Sequence, residues 1–120
     1  MIEVWKTCGN APYEVSNLGN VRRVSSTQNR KPILLKNGYL TIMFSIEGKV
    51  YCKYVHRLVA DAFIANPNNL PEINHINRNR RDNRVENLEW CDRLYNIQDA
   101  VGKILLSAMK MEYFLNTFLL

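Results

Sequence analysis

Only two histidines occur in this 120-residue sequence, and one of them, His75, stands in its most polar stretch. Between Asn74 and Asn87 the chain carries Asn77, Asn79 and Asn83 interleaved with Arg78, Arg80, Arg81 and Arg84. An imidazole with an ordinary pKa of about 6.5 is largely neutral at neutral pH and can take up a proton. Four guanidinium groups within seven residues present planar forks of donors that match phosphate oxygens, so the segment points to phosphate binding rather than to a merely solvated loop. A second basic group, Arg22, Arg23, Arg30 and Lys31, lies in the N-terminal half and is expected to contact a nucleic-acid backbone. His56 is expected to serve the core or cap a helix.

The charge balance agrees with an anionic partner. Lys and Arg number 16 against 11 Asp and Glu, a formal net charge of +5 with a sequence pI of about 9.3, and nucleic acid is the first candidate for such a surface. Cys8, Cys52 and Cys91 are widely separated, odd in number and form no Cys-x-x-Cys pair. Neither a zinc ribbon nor a disulfide framework is therefore expected, and reduced thiols inside a cell are the simple reading. The start, MIEVWKTCGN, has neither the basic nor the apolar segment of a signal peptide, which adds to the expectation of a cytoplasmic protein. With 47% apolar residues, 5 Gly and 4 Pro, one domain with a buried core is expected rather than a disordered chain or two full-size domains.

The elements that must hold these residues follow from periodicity. Leu40, Ile42, Phe44 and Ile46 alternate with Tyr39, Thr41, Met43 and Ser45, the period of a half-buried strand. Asn37-Gly38 predicts a hairpin that pairs Ile33–Lys36 with this strand, and Glu47-Gly48 predicts a second turn into a strand over Val50–Val55. Upstream, Asn17-Leu18-Gly19-Asn20 separates Tyr13–Ser16 from Val21–Ser25 as a further hairpin, and Ser26–Lys31 reads as a polar loop. The pattern changes near His56: Leu58, Val59, Ala62 and Phe63 share one face of a short helix over His56–Ile64, which ends before Pro67. Glu72–Ile76 reads as a strand, Asn77–Glu86 as a connecting loop and Leu88–Cys91 as a second strand. Asp92 is placed to cap a helix starting at Arg93. The Trp5 and Trp90 rings are expected in the core.

Strand, polar loop, strand and helix make a ββα unit. The text VHRLVADAF, INHINRNRRDNRVENLEW and CDRLYNIQDA resembles the ββα-metal active site of HNH endonucleases, in particular the phage and intron-encoded homing type. Trp5, YEVSNLGNVR and NGYLTIMF resemble the small module that often precedes this nuclease in phage proteins, so the likeness spans roughly residues 3–101. It implies an α+β fold: an antiparallel strand-rich DNA-contact module over residues 1–48, an HNH nuclease unit over 49–101, and a remaining apolar segment over 102–120. It implies His75 as general base, and Asn87 as the motif's second residue, tying the long loop by side-chain to backbone hydrogen bonds. It implies Asn74 and Asn96 as ligands of one divalent cation, magnesium or manganese, whose preference for oxygen ligands agrees with the absence of a zinc pattern. The implied partner is DNA, with no membrane and a monomer favoured.

Two departures from the family pattern carry consequences. An aspartate often stands where Asn74 is found, and the neutral ligand predicts weaker cation binding that leans more on DNA phosphate. Asn77-Arg78 replaces the usual Asp-Gly, which predicts turn strain if φ is positive at Arg78. Cleavage of DNA, as nicking or weak double-strand cutting, is the leading expectation; a catalytically degenerate DNA-binding module is the alternative. A third reading is a basic interaction protein that uses Ile104–Leu120, a segment too short and too charged at its centre for a membrane span. Relatives usually continue into further DNA-binding elements, and the apolar end looks foreign to that pattern.

Overall fold

The computed structural model of the chain describes residues 2–94. Tyr13–Ser16 forms the central strand (β2) of a first antiparallel sheet, flanked by Trp5–Thr7 (β1) and Val21–Arg23 (β3). The three residues of β1 carry no alternation and so no strand signal, yet Lys6 pairs with Val15. The β2–β3 turn closes because Ser16 Oγ accepts from the Leu18 and Asn20 amides at 3.2 and 3.1 Å while Gly19 takes φ 89°. The loop after β3 curls back on it, with Arg30 N donating to Val21 O at 2.7 Å.

Ile33–Leu34 (β4), Leu40–Ile46 (β5) and Lys49–Tyr54 (β6) form a second sheet in the expected hairpin order. Ile42 and Phe44 are buried and Met43 is exposed, as the alternation predicts; Thr41 is the exception, buried beside β4 with its hydroxyl near Ile33 O. The two turns divide their work differently from expectation. At Asn37-Gly38 only the glycine takes positive φ, and Asn37 Oδ1 instead accepts from Tyr39 N at 3.1 Å. Glu47 and Gly48 both do, at 51° and 79°, the tight two-residue turn that matches strand twist.

Val55–Phe63 (α1) follows β6 without a break and buries Val55, His56, Val59 and Ala60. Asn66 then clamps the backbone of Leu70 through both ends of its amide, at 2.8 and 2.9 Å. Glu72–His75 (β7) pairs antiparallel with Leu88–Cys91 (β8), and a single 3-10 turn at Val85–Asn87 leads into β8. Helix α1 packs on strands of all three sheets, so one core unites Tyr13, Val15 and Val21 with Ile42, Phe44, Val59, Ile73 and Leu88. Burying each such side chain contributes roughly 1.5–3 kcal/mol before chain entropy is counted. Trp90 packs against this core and its Nε1 donates to Ile64 O at 3.0 Å. Asp92 precedes helical Arg93 and Leu94; the rest of the expected helix, Asn96 and the segment Ile104–Leu120 lie outside the described residues. Among the described residues no helix is long and apolar enough to cross a membrane, and Cys8, Cys52 and Cys91 are not joined to one another by a disulfide.

Candidate active site

The antiparallel register sets Asn74 opposite Glu89 and His75, the last residue of β7, opposite Leu88. The asparagines between the two strands explain how a long polar loop keeps one shape. Asn77 Oδ1 accepts from Asn79 N at 2.8 Å and Asn79 Oδ1 from Arg81 N at 3.0 Å, each short amide mimicking a backbone turn. Buried Asn87 accepts from Asn77 N at 2.9 Å and donates to Asp82 O at 2.8 Å, holding the loop's entry to its far side. Arg78 follows His75 in a turn closed by Arg78 N donating to His75 O at 2.9 Å, and its φ is 68°. A residue with a Cβ therefore stands in the left-handed region where the family pattern places glycine, a strain of roughly 1 kcal/mol or more.

His75 is buried, and its Nε2 lies at hydrogen-bond distance, 2.8 Å, from Asn83 Oδ1. Its ring lies 5.1 Å from that of His56 and 5.8 Å from that of Tyr39. Burial is the largest influence on its pKa and lowers it; the positive charge of Arg80 works the same way, against the opposing Asn83 bond and Asp82 charge. His56 is pushed down to about 3, first by burial and then by His75 and Arg57. Both rings are thus neutral at neutral pH, and His75 can accept a proton. Among the described residues His56 Nδ1 has no hydrogen-bond partner.

Asn74, also buried, donates from Nδ2 to Glu89 Oε1 at 2.9 Å. That bond fixes which end of the amide is nitrogen, so the carbonyl oxygen is the end able to serve a hard cation, with a carboxylate beside it. Oxygen donors of this kind suit magnesium or manganese. Among the described residues no three His, Cys, Asp or Glu side chains converge as a metal cluster, and Asn96, the other expected ligand, is not among them.

The expected phosphate-binding cations have different surroundings. Arg84 donates to both Asp82 oxygens at 2.8 Å and to Glu86 at 2.7 Å, and hydrogen bonding to Arg84 holds Asp82 down at about 2. Arg80 donates to Asn37 O at 2.6 Å and lies 4.8 Å over the Tyr39 ring. Arg81 is exposed. In the N-terminal half Arg22 pairs with Glu14 at 2.6 Å and stacks 3.7 Å over Trp5. Arg23, Arg30 and Lys31 are exposed and line one open recess of about 470 Å³ with Ser26, Gln28 and Asn29.

Fold and site together define a strand-rich module followed by an HNH-type ββα nuclease unit, and comparison with known proteins agrees. Residues 3–45 match the NUMOD4 motif and residues 53–98 match the HNH endonuclease family. The chain is 38% identical over 117 residues to an uncharacterized HNH endonuclease of Acanthamoeba polyphaga mimivirus, covering 90% of this chain and 28% of that protein. To the DNA endonuclease I-HmuI of Bacillus phage SP01 it is 30% identical over 100 residues, 83% of this chain and 58% of that protein. A solved structure describing DNA binding and cleavage by the HNH homing endonuclease I-HmuI superposes with a TM-score of 0.77 at 28% identity, covering 94% of this chain and 68% of that one. The chain belongs with these proteins: it carries a NUMOD4 motif followed by an HNH endonuclease domain and is homologous to I-HmuI. It spans about a quarter of the mimivirus relatives, 28% and 27%, and 58% of I-HmuI. HNH nucleases generally use a divalent metal.

Sequence reasoning does not single out Asn83, Glu89 or Tyr39. Asn83 reads as one more polar loop residue, and Glu89 as the exposed position of a strand. The only available signal for Glu89 is register: with the β7–β8 hairpin placed, its position opposite Asn74 follows.

Proposed function

We propose that the chain is a metal-dependent DNA endonuclease of the homing type that hydrolyses phosphodiester bonds, most readily as a nick. The observation that carries this reading is a buried, neutral His75 at the end of β7, hydrogen-bonded through one ring nitrogen and adjacent to Asn74. In the proposed reaction a water oxygen attacks phosphorus, its proton passes to His75, and the bond from phosphorus to the 3′ oxygen breaks. Asn74 and Asn96 would hold one magnesium or manganese ion, which would neutralise charge on the phosphate and the departing oxygen. Asn87 keeps the loop and therefore His75 in place. Arg81 and the recess lined by Arg23, Arg30 and Lys31 contact DNA phosphates, with Arg78 and Arg80 beside the site and Arg22 and Arg84 contributing less because carboxylates already engage them. Action inside a host cell fits this chemistry.

The test is nicking of supercoiled plasmid in magnesium or manganese, with EDTA and with His75→Ala. Wild type is expected to nick, and both controls to stop it. A second reading, a DNA-binding module without catalysis, draws on neutral Asn74 and on the left-handed backbone at Arg78. It predicts salt-sensitive DNA binding and an intact plasmid under every metal.

A further inference from the structure

In the loop between β7 and β8, Asn83 is a buried polar side chain that neither the metal nor the phosphate reading uses. Asn83 is 4% exposed, yet its amide nitrogen has no hydrogen-bond partner among the described residues. A buried amide left half-satisfied costs on the order of 1–3 kcal/mol, and a leucine would fill the same space without that cost. The satisfied end is Oδ1, and its partner is His75 Nε2 at 2.8 Å.

Asn83 is also held from the far side. A Cβ on Gly19, in the β2–β3 turn, would come within 3.1 Å of Asn83 Cβ and 3.2 Å of its carbonyl oxygen. Two residues on, Val85 N donates to Asn17 O at 2.9 Å. The turn at residues 17–19 of the NUMOD4 half therefore lies directly against the segment that meets the histidine ring.

Because a carbonyl oxygen only accepts, the ring nitrogen facing it must carry the hydrogen. We infer that Asn83, braced by the Gly19 turn, is a positioning residue that fixes His75 in the Nε2–H tautomer and leaves Nδ1 as the proton acceptor. This rests on His75 being the base, but the ring's tautomer exists whether or not the protein cuts DNA. The assignment differs from the role of Asn87, whose bonds go to backbone and not to the ring.

Nitrogen-15 spectra of the full chain test it, since there are only two histidines and the His75 signals are those that disappear in His75→Ala. Wild type is expected to show protonated Nε2 and bare Nδ1. Asn83→Leu is expected to fold with unchanged or raised Tm and to show averaged ring shifts. Asn83→Asp, which keeps an acceptor, is expected to restore the wild-type pattern. With plasmid as substrate, Asn83→Leu should lower kcat about 10–100-fold at unchanged DNA affinity, as outer residues that orient a reacting group do. Bare Nε2 in wild type, or wild-type shifts in Asn83→Leu, would overturn the inference. Failure of the nuclease reading would show instead as equal inactivity of wild type and His75→Ala, with the ring shifts still informative.

Discussion

In the loop between β7 and β8, Arg84 is held by Asp82 and Glu86 and Arg80 lies on Tyr39, whereas Arg23 and Lys31 stand exposed at the rim of the N-terminal recess. The loop spends its polar side chains on its own shape: Asn77, Asn79, Asp82 and Asn87 all bond within it. The recess does so less, although Arg30 donates to Met43 O at 3.2 Å and both Arg23 and Arg30 lie over Tyr13. Two clusters that look alike in their number of cations therefore differ in what substitution should do. Changes in the loop should act on stability and on the geometry around His75. Changes at the recess should act mainly on DNA affinity.

The largest stability effect is expected at Asn87→Ala, which strips two backbone groups of their partner and should cost roughly 2–4 kcal/mol in denaturant unfolding. A destabilisation below about 0.5 kcal/mol would mean that the loop is shaped by something else. Acid should act next. His56, at about 3, and His75 both have folded-state values below the ordinary 6.5. The unfolded chain then binds more protons below pH 6.5, so stability is fully present above that pH and falls as pH drops from 6.5 toward 3. Tm should accordingly decline between pH 6.5 and 5, and less steeply in His56→Gln. At the recess, reversing Arg23 and Lys31 to Glu should leave Tm nearly unchanged. DNA affinity should weaken instead, with the salt slope of log affinity reduced by about 0.9 for each DNA phosphate that the variant no longer neutralises. A smaller effect is expected at Arg78→Gly, which relieves the left-handed backbone but loosens the unfolded chain; a change within about 1 kcal/mol, stabilising in sign, is the expectation.

Glu89 bears directly on the role of Asn74. Asn74→Asp would set a carboxylate against Glu89 Oε1, where the amide now donates at 2.9 Å. Without metal this variant should melt lower than wild type. With manganese it should recover, and its half-saturating manganese concentration should fall by about tenfold through the added negative charge. An unchanged metal dependence would remove Asn74 from the ligand set.

Much of this arrangement is readable in the chain because it is local. Alternation at Leu40–Ile46 and the helical spacing of Leu58, Val59, Ala62 and Phe63 place β5 and α1 within a residue or two. Strand β1 escapes such a reading because its three residues are held by pairing with β2 rather than by any pattern of their own. The approach of His56 to His75 depends on how α1 packs against β7, between residues well separated in the chain, so no spacing announces it. The same holds for Asn83 against Gly19, where a loop of one half meets a turn of the other. Asn96 is legible as a candidate ligand through the family resemblance, and it lies outside the described residues.

The central claim is that His75 is the base of a phosphodiester hydrolysis. Its most direct test is the initial rate of supercoiled-plasmid nicking in manganese for wild type and His75→Ala, each checked for folding and DNA binding. A base in this role predicts a fall of about 10²–10⁴-fold for His75→Ala with DNA affinity retained. Equal rates in the two proteins, or no nicking by wild type under any divalent cation, would contradict it.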